Sequence, residues 1–269
     1  MNEFSHTFAV CAYKESPYLR ECLQSLKQQS ATPNILIATS TPNDYISTLA
    51  EEFDVPVLIS DAPSGIGRDW NFALSCAHTE FVTIAHQDDI YCRDYLKILA
   101  EYANRAKDPI LFYTDYGELR DGQEVYENHL LRVKRKINAF VKPHIFWHSR
   151  FMRKRTLSVG SAICCPSVCL NHGRFPDFRF SETMTCDLDW DAWSRLAREK
   201  GSFVYVPQPL MLHRIHEESE TTSQLGEGKR FAEDFEMFCR YWPKPLARAL
   251  MKRYSKSAES NKVESKPKE

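Results

Sequence analysis

The chain has 269 residues, with 35 basic and 36 acidic side chains and a formal charge of −1. A hydrophobic content of 43% suffices for one large α/β domain or two small ones with a sizeable core, and the balanced charge speaks against a dedicated nucleic-acid binder, which carries a basic excess. No apolar run approaches the roughly 18 residues that span a bilayer, and the start, MNEFSHTFAV, has neither the basic opening nor the apolar core of a signal peptide, so a cytoplasmic location is expected.

The first hundred residues alternate between two hydrophobic periods. TFAVCAY (7–13) is a short apolar run, expected as a buried strand. Ser16 and Pro17 predict an N-cap and a first-turn proline for a helix with Leu19, Cys22, Leu23 and Leu26 at helical spacing. NILIATS (34–40) predicts a second strand and 43–53 a second helix. VPVLISD (55–61) is the third strand, followed by the turn PSGIG and the helix RDWNFALSCAH. EFVTIAH (80–86) and CRDYLKILAEYANRA make the fourth pair. Four strand–helix repeats imply right-handed crossovers and a mainly parallel, Rossmann-like sheet flanked by helices. Ligands of such sheets sit beyond the carboxyl ends of the strands, here 12–15, 39–41, 61–67 and 86–89.

The second half is less regular. DPILFYTDYGEL (108–119) predicts a strand with an acidic end, GSAICCPSVCL (160–170) a buried strand, DLDWDAWSRLAREKG (187–201) a helix stopped by Gly201, and SFVYVPQPLMLHRIH (202–216) a strand and exit loop. Between them, Arg132, Lys134, Arg135, Lys136, Lys142, Arg150, Arg153, Lys154 and Arg155 occur with no acid in the interval. Such a run is a solvated face, or it meets an acidic or diphosphate-bearing acceptor or an anionic membrane surface. PKPLARALMKRYSK (243–256), basic and amphipathic, adds to the expectation of peripheral membrane contact. The nine cysteines lack a C-x-x-C pair, which favours reduced buried thiols over a zinc site.

Five stretches in one order carry a likeness. CAYKESPYLRECLQSLKQQS, PSGIGRDWNFAL, AHQDDIY, DLDWDAWSRLA and LHRIHEESETT resemble the motifs of glycosyltransferase family 2, over roughly residues 7 to 222. The resemblance implies the GT-A fold and inverting transfer from a nucleotide-diphosphate sugar to a glycan or lipid-linked acceptor, with Mn²⁺ or Mg²⁺ as cofactor and cell-envelope polysaccharide (lipopolysaccharide, capsule or exopolysaccharide) as the product. It implies a transferase domain over 1–225, with a nucleotide-binding half to about 115 and an acceptor-side half beyond. A helical extension over 226–256 and a disordered tail over 257–269, poor in apolar residues, complete the expected organisation.

The family's D-x-D metal motif falls on HQDD, so the resemblance makes Asp88 the first metal ligand, Asp89 a second or supporting one, and His216 a group near metal or diphosphate. His86 stands where the family has an acid and is expected to contact nucleotide or ribose instead. The nucleotide-sugar side would comprise Ala12, Tyr13, Glu15, Thr39, Ser40, Gly65, Arg68, Asn71, His86, Gln87 and Arg214, with TSTPND in place of the family's DDGS after the second strand. Anchoring on Trp193 and Arg195 makes Asp189 the catalytic base, with Asp187 in reserve, and Asp115, Trp190, Ser219 and Thr221 face the acceptor.

The chemistry links these residue types. Charge developing on a diphosphate leaving group is stabilised by a divalent ion held through hard oxygen ligands. A general base on the acceptor hydroxyl contributes about 10²–10⁴ in rate, and the dipole of a helix N-terminus is expected to keep the Asp189 carboxylate ionised. Plainer readings stand beside these. Asp88 and Asp89 could cap the fourth helix, and Asp187 to Asp191 could form a solvated first turn. His216 and Tyr13 could be structural, and Gly65 and Gly67 only a turn. A silent nucleotide-sugar- or glycan-binding module is the main competing function. A nucleotidyltransferase would need a lysine-bearing glycine-rich loop that the first strand lacks.

Overall fold

The computed structural model describes residues 4–216 and 227–258. The four apolar runs form β1 (His6–Ala12), β2 (Asn34–Thr39), β3 (Val57–Ile59) and β4 (Phe81–His86), all parallel. Between them run α1 (Leu19–Lys27), α2 (Asp44–Phe53) and α3 (Ile66–Cys76), and α4 (Tyr95–Ala103) follows β4. Phe8, Val10 and Ala12 of β1 enter one core with Leu19, Leu23 and Ile37, while Ala9 enters another with Trp70 and Leu74. A strand buried on both faces reads as an unbroken apolar run, because its period-2 alternation has no solvent side to record.

The remaining strands are β5 (Ile90–Tyr91), β6 (Pro109–Arg120), β7 (Gln123–Val125), β8 (Val168–Asn171) and β9 (Ser202–Ile215). They complete one sheet in the order β3-β2-β1-β4-β8-β6-β9-β5, with β7 on β6. The register pairs Ala12 with Thr39 and Cys11 with His86, which levels the carboxyl ends of β1, β2 and β4 into a single rim.

Three boundaries differ from the sequence expectation. The apolar stretch 160–170 is a strand only at its end, because a 3-10 turn over Cys165–Ser167 comes first, with Pro166 unable to donate to a ladder. The helix expected to run to Gly201 is α7 (Leu188–Leu196). The carbonyls beyond it, on Ala197, Glu199 and Gly201, accept from the buried guanidinium of Arg153, which replaces the missing helical turn as their partner. Helix α1 starts two residues after Pro17, with Tyr18 at its N-cap; Ser16 instead closes a preceding turn by accepting from Leu19 N at 3.2 Å.

The basic stretch folds as α5 (His129–Ala139), a 3-10 turn over His144–Phe146, and α6 (Arg150–Leu157). Near the C-terminus, α8 (Glu227–Cys239) and α9 (Lys244–Ala258) place Met237, Phe238, Ala247 and Met251 in the core that holds Trp190 and Trp193. These two helices are therefore packed into the same hydrophobic core as α7. No helix among the described residues is long and apolar enough to cross a membrane.

Candidate active site

At the end of β4 the chain turns through HQDD, with Asp89 N donating to His86 O at 3.3 Å, before entering β5. That strand separates the acidic pair from α4, whose N-cap is Asp94, so Asp88 and Asp89 do not cap the helix. They meet the end of β9 instead. Fully buried Asp89 accepts through Oδ1 from Arg214 N at 2.9 Å and lies 3.0 Å from His213 Nδ1. Asp88 Oδ2 is 2.9 Å from His216 Nε2, and the Asp88 carbonyl accepts from Arg214 Nε at 2.8 Å. Arg214 also pairs with Glu21 of α1 and lies over the Tyr18 ring, 4.3 Å from its centroid.

Electrostatics follow from this packing. Burial pushes the Asp88 carboxyl up, but the hydrogen bond to His216 and the neighbouring His86 and His213 outweigh it and leave it below its ordinary value. Burial would lower His213, yet the Asp89 carboxylate beside it raises it. His86, stacked on Trp70 at 5.2 Å, is lowered by burial despite both aspartates. The rim thus favours the ionised form of Asp88 and the protonated form of His213.

Donor atoms of His86, Asp88 and Asp89 lie within 4.8 Å of one another. Asp89 Oδ2 and His86 Nε2 are buried without a hydrogen-bond partner among the described residues, a costly state for polar atoms. Hard carboxylate oxygens with one imidazole suit Mg²⁺ or Mn²⁺, so the residues present fit a divalent cation.

Several expected nucleotide-side residues are engaged in building the rim. Gln87 clamps the first loop, accepting from Tyr13 N at 2.9 Å and donating to Tyr13 O at 3.0 Å. Ala12 is buried, and buried Thr39 accepts from Thr41 N through its hydroxyl at 3.0 Å. Gly65 opens α3 and donates to Asp69, while Arg68 is spent on the Pro63 and Ser64 carbonyls. Asn71, expected to reach the donor, is buried and fastens the loop at 180–182 by accepting from Phe180 N at 2.7 Å and donating to Phe180 O and Glu182. Tyr13 is half-buried and Glu15 exposed, while the Ser40 hydroxyl is buried without a hydrogen-bond partner among the described residues.

Near the Cys164–Cys165 segment lies the second carboxyl group of the site. Burial raises both thiols, and the nearby charges of Asp189 and Asp89 raise them further. Asp189, in the first turn of α7, accepts from Trp190 N at 2.6 Å, yet desolvation raises its pKa to about 6. Burial therefore outweighs the helix dipole that was expected to hold this carboxyl low. Asp187 is buried and faces Asp234 of α8; burial and that like charge keep a proton on the pair well above the usual carboxylate range. Asp191 is tied to Arg195 at 2.8 Å and Arg240 at 2.6 Å. Trp190, expected on the acceptor side, is a core residue whose indole N–H donates to Leu157 O at 3.0 Å. Asp115 pairs with Arg135 at 2.5 Å. Ser219 and Thr221 lie outside the described residues.

Three contributors escape a sequence reading. His213 supports Asp89, and strand alternation hides it, because it shares the face of β9 that carries the core residue Met211. Lys134 donates to Tyr116 OH at 2.9 Å and lowers the Asp189 pKa. Its signal is readable in hindsight, since Leu131, Lys134 and Asn138 share one face of α5 and the first and last are buried. Glu233 of α8 accepts from the backbone N–H groups of Thr185, Cys186 and Asp187 at 2.7–3.1 Å and from the Thr185 hydroxyl at 3.0 Å. It satisfies the donors at the start of α7 from 46 residues away in sequence, which no local capping pattern could announce.

Comparison with known proteins gives the fold a family. S. aureus TarS 1-349 in complex with UDP-GlcNAc matches with a TM-score of 0.63 at 15% identity, over 91% of this chain and 70% of that one. The mannosyltransferase PcManGT from Pyrobaculum calidifontis, in complex with GDP-Man and Mn²⁺, matches with a TM-score of 0.63 at 11% identity, over 97% and 77%. No curated protein sequence matches the chain. These likenesses identify the GT-A fold, an α/β architecture with a mostly parallel sheet. The family model for glycosyl transferase family 2 matches residues 7–169, well over half of the chain, and the protein belongs to that family.

Proposed function

We propose that the protein transfers a sugar, with inversion, from a nucleoside-diphosphate sugar to a hydroxyl of a glycan or lipid-linked saccharide, assisted by Mn²⁺ or Mg²⁺, in the assembly of a cell-envelope polysaccharide. The observation that carries this reading is the hard-donor cluster of His86, Asp88 and Asp89, with Asp89 Oδ2 buried without a hydrogen-bond partner among the described residues, in a chain of glycosyl transferase family 2. One structural neighbour in complex with UDP-GlcNAc and another in complex with GDP-Man and Mn²⁺ support the donor class.

Asp88 and Asp89, with His86 beside them, would hold the cation, and His216 and His213 orient the two carboxylates from behind. A divalent ion there supplies positive charge opposite the diphosphate as it leaves. Asp189, ionised in most molecules at neutral pH, takes the proton of the acceptor hydroxyl. The hydroxyl oxygen forms a bond to the anomeric carbon from the face opposite the diphosphate, and the carbon–oxygen bond to the diphosphate breaks with its electron pair. Lys134 keeps the Asp189 pKa from rising further, and Arg214 adds charge at the rim.

A panel of nucleotide sugars, read by release of nucleoside diphosphate with and without Mn²⁺, tests the proposal. Turnover is expected to need a divalent ion and to be lost in both Asp88→Ala and Asp189→Asn. Turnover surviving both changes would overturn the assigned roles. Nucleotide binding indifferent to Mn²⁺, with no transfer, would leave the non-catalytic binding module in its place.

A further inference from the structure

The nine cations between Arg132 and Arg155 divide into two sets. Lys134, Arg135 and Arg153 turn inward, onto Tyr116, Asp115 and the carbonyls after α7. Arg132, Lys136, Lys142, Arg150, Lys154 and Arg155 are exposed. Among them stand Phe140, Ile145 and Phe151, each 67% exposed and more so than any other large hydrophobic side chain among the described residues. No Asp or Glu occurs from 128 to 176.

The chain neighbours of these side chains converge on the inner side. Val141, Phe146, Trp147, Arg153 and Leu157, their inward neighbours, line a single small cavity, so α5's end, the 3-10 turn and α6 form one wall around it. Arg155 lies over the Phe151 ring at 5.6 Å and over Trp242 at 5.1 Å, which extends the wall to the start of α9. Leaving three large apolar side chains in water is unfavourable, and setting them among six exposed cations, with Glu199 beside Arg150 the acid that meets this stretch, suits one environment above others. We propose that this face docks on an anionic lipid bilayer, with Phe140, Ile145 and Phe151 entering the headgroup–acyl boundary and the six cations meeting lipid phosphates. Aromatic and aliphatic insertion combined with electrostatic attraction is how peripheral segments bind such surfaces.

Lys134, on the opposite side of α5, donates to Tyr116 and lowers the Asp189 pKa, so a docked chain would hold the base one helix away from a lipid-borne acceptor. That consequence rests on the proposed transferase reading; the docking does not.

The test is co-sedimentation of the full chain with vesicles of phosphatidylcholine alone and of phosphatidylcholine enriched in phosphatidylglycerol, at low and high salt. Binding is expected to the anionic vesicles only and to weaken with salt. Replacing the three apolar residues together (Phe140→Ser, Ile145→Ser, Phe151→Ser) should lower partitioning about tenfold or more, as should Lys142→Glu with Lys154→Glu. The melting temperature should be unchanged for both. The proposal is overturned if the wild type binds neither vesicle or both equally, or if the triple variant partitions like the wild type. It is also overturned if the triple variant instead abolishes self-association in the absence of lipid, since the face would then join two copies. A chain that binds anionic vesicles but transfers no sugar would sink the transferase reading and leave the docking intact.

Discussion

The two carboxyl groups of the proposed site are held in opposite ways. On the rim, Asp88 and Asp89 face His213, His216 and the backbone N–H of Arg214, all delivered by one strand end, and donors and positive charge surround them. On the base side, Asp187, Asp189, Glu233 and Asp234 crowd around the start of α7, and burial raises Asp189 and keeps a proton between Asp187 and Asp234. Asp88 is held ionised on the rim; Asp187, Asp189 and Asp234 are pushed toward the protonated form, with Glu233 alone among the four held low by its backbone donors. An enzyme that must bind a cation and also remove a proton needs both environments, kept apart.

The sharpest way to separate the two is Asp189→Asn. Loss of the base should lower kcat by about 10²–10⁴ while binding of nucleoside diphosphate, followed by thermal shift, stays intact. Lost nucleotide binding in this variant would show that the two regions are not independent. The converse change is His216→Ala, which removes the partner of Asp88. It should weaken the apparent Mn²⁺ affinity about 10–100-fold, read from activity against metal concentration. The acid limb of its pH profile should stay where the wild type's is.

That limb supplies a third measurement. An ionised Asp189 is the active form, so kcat should rise with pH through about 6 and level off above it. Lys134 lowers the Asp189 pKa; Lys134→Met should therefore move the limb upward by about one pH unit. A limb that does not move would remove Lys134 from the base's surroundings. The same profile measured on Asp89→Asn should keep its midpoint, because Asp89 is not among the groups that shift Asp189.

How much of this was legible follows the same division. The rim lies in a stretch where strand, turn and helix repeat within short chain distance, so Asp88, Asp89 and the carboxyl ends of β1, β2 and β4 could be placed from periodicity alone. Asp189 was reachable through its motif, but its titration was misjudged because the dipole is a local effect and desolvation is not. Burial of α7 depends on Phe238 and Met251, from helices the motif does not include. Asn71 and Gln87 illustrate a second limit. Polar residues beside a ligand rim serve either the ligand or the loops that form it, and only the hydrogen bonds to Phe180 and Tyr13 distinguish the two. Lys134 was hidden among eight other cations whose sequence context was the same, and the helix face alone sets it apart.

The smallest expected effect is the most specific to the base side. The proton shared by Asp187 and Asp234 means that the folded-state pKa of the pair is raised above that of an unfolded aspartate. The sign of the linkage follows: the folded state binds the extra proton, so its stabilising contribution is fully present below the ordinary carboxylate pKa and is lost as pH rises through the raised folded value. Asp187→Asn keeps a donor to Asp234 but has nothing to titrate. Its melting temperature should match the wild type in mild acid and exceed it by a few degrees on the alkaline side, where the wild-type pair must carry two buried charges. Glu233→Gln provides the contrast, because Glu233 accepts from three backbone N–H groups that outweigh its burial and hold its carboxyl below the usual range. That variant should be less stable throughout the neutral range, with no gain at high pH. Parallel melting curves for wild type and Asp187→Asn across the whole range would mean that the pair holds no extra proton, and that the base side is ionised like the rim.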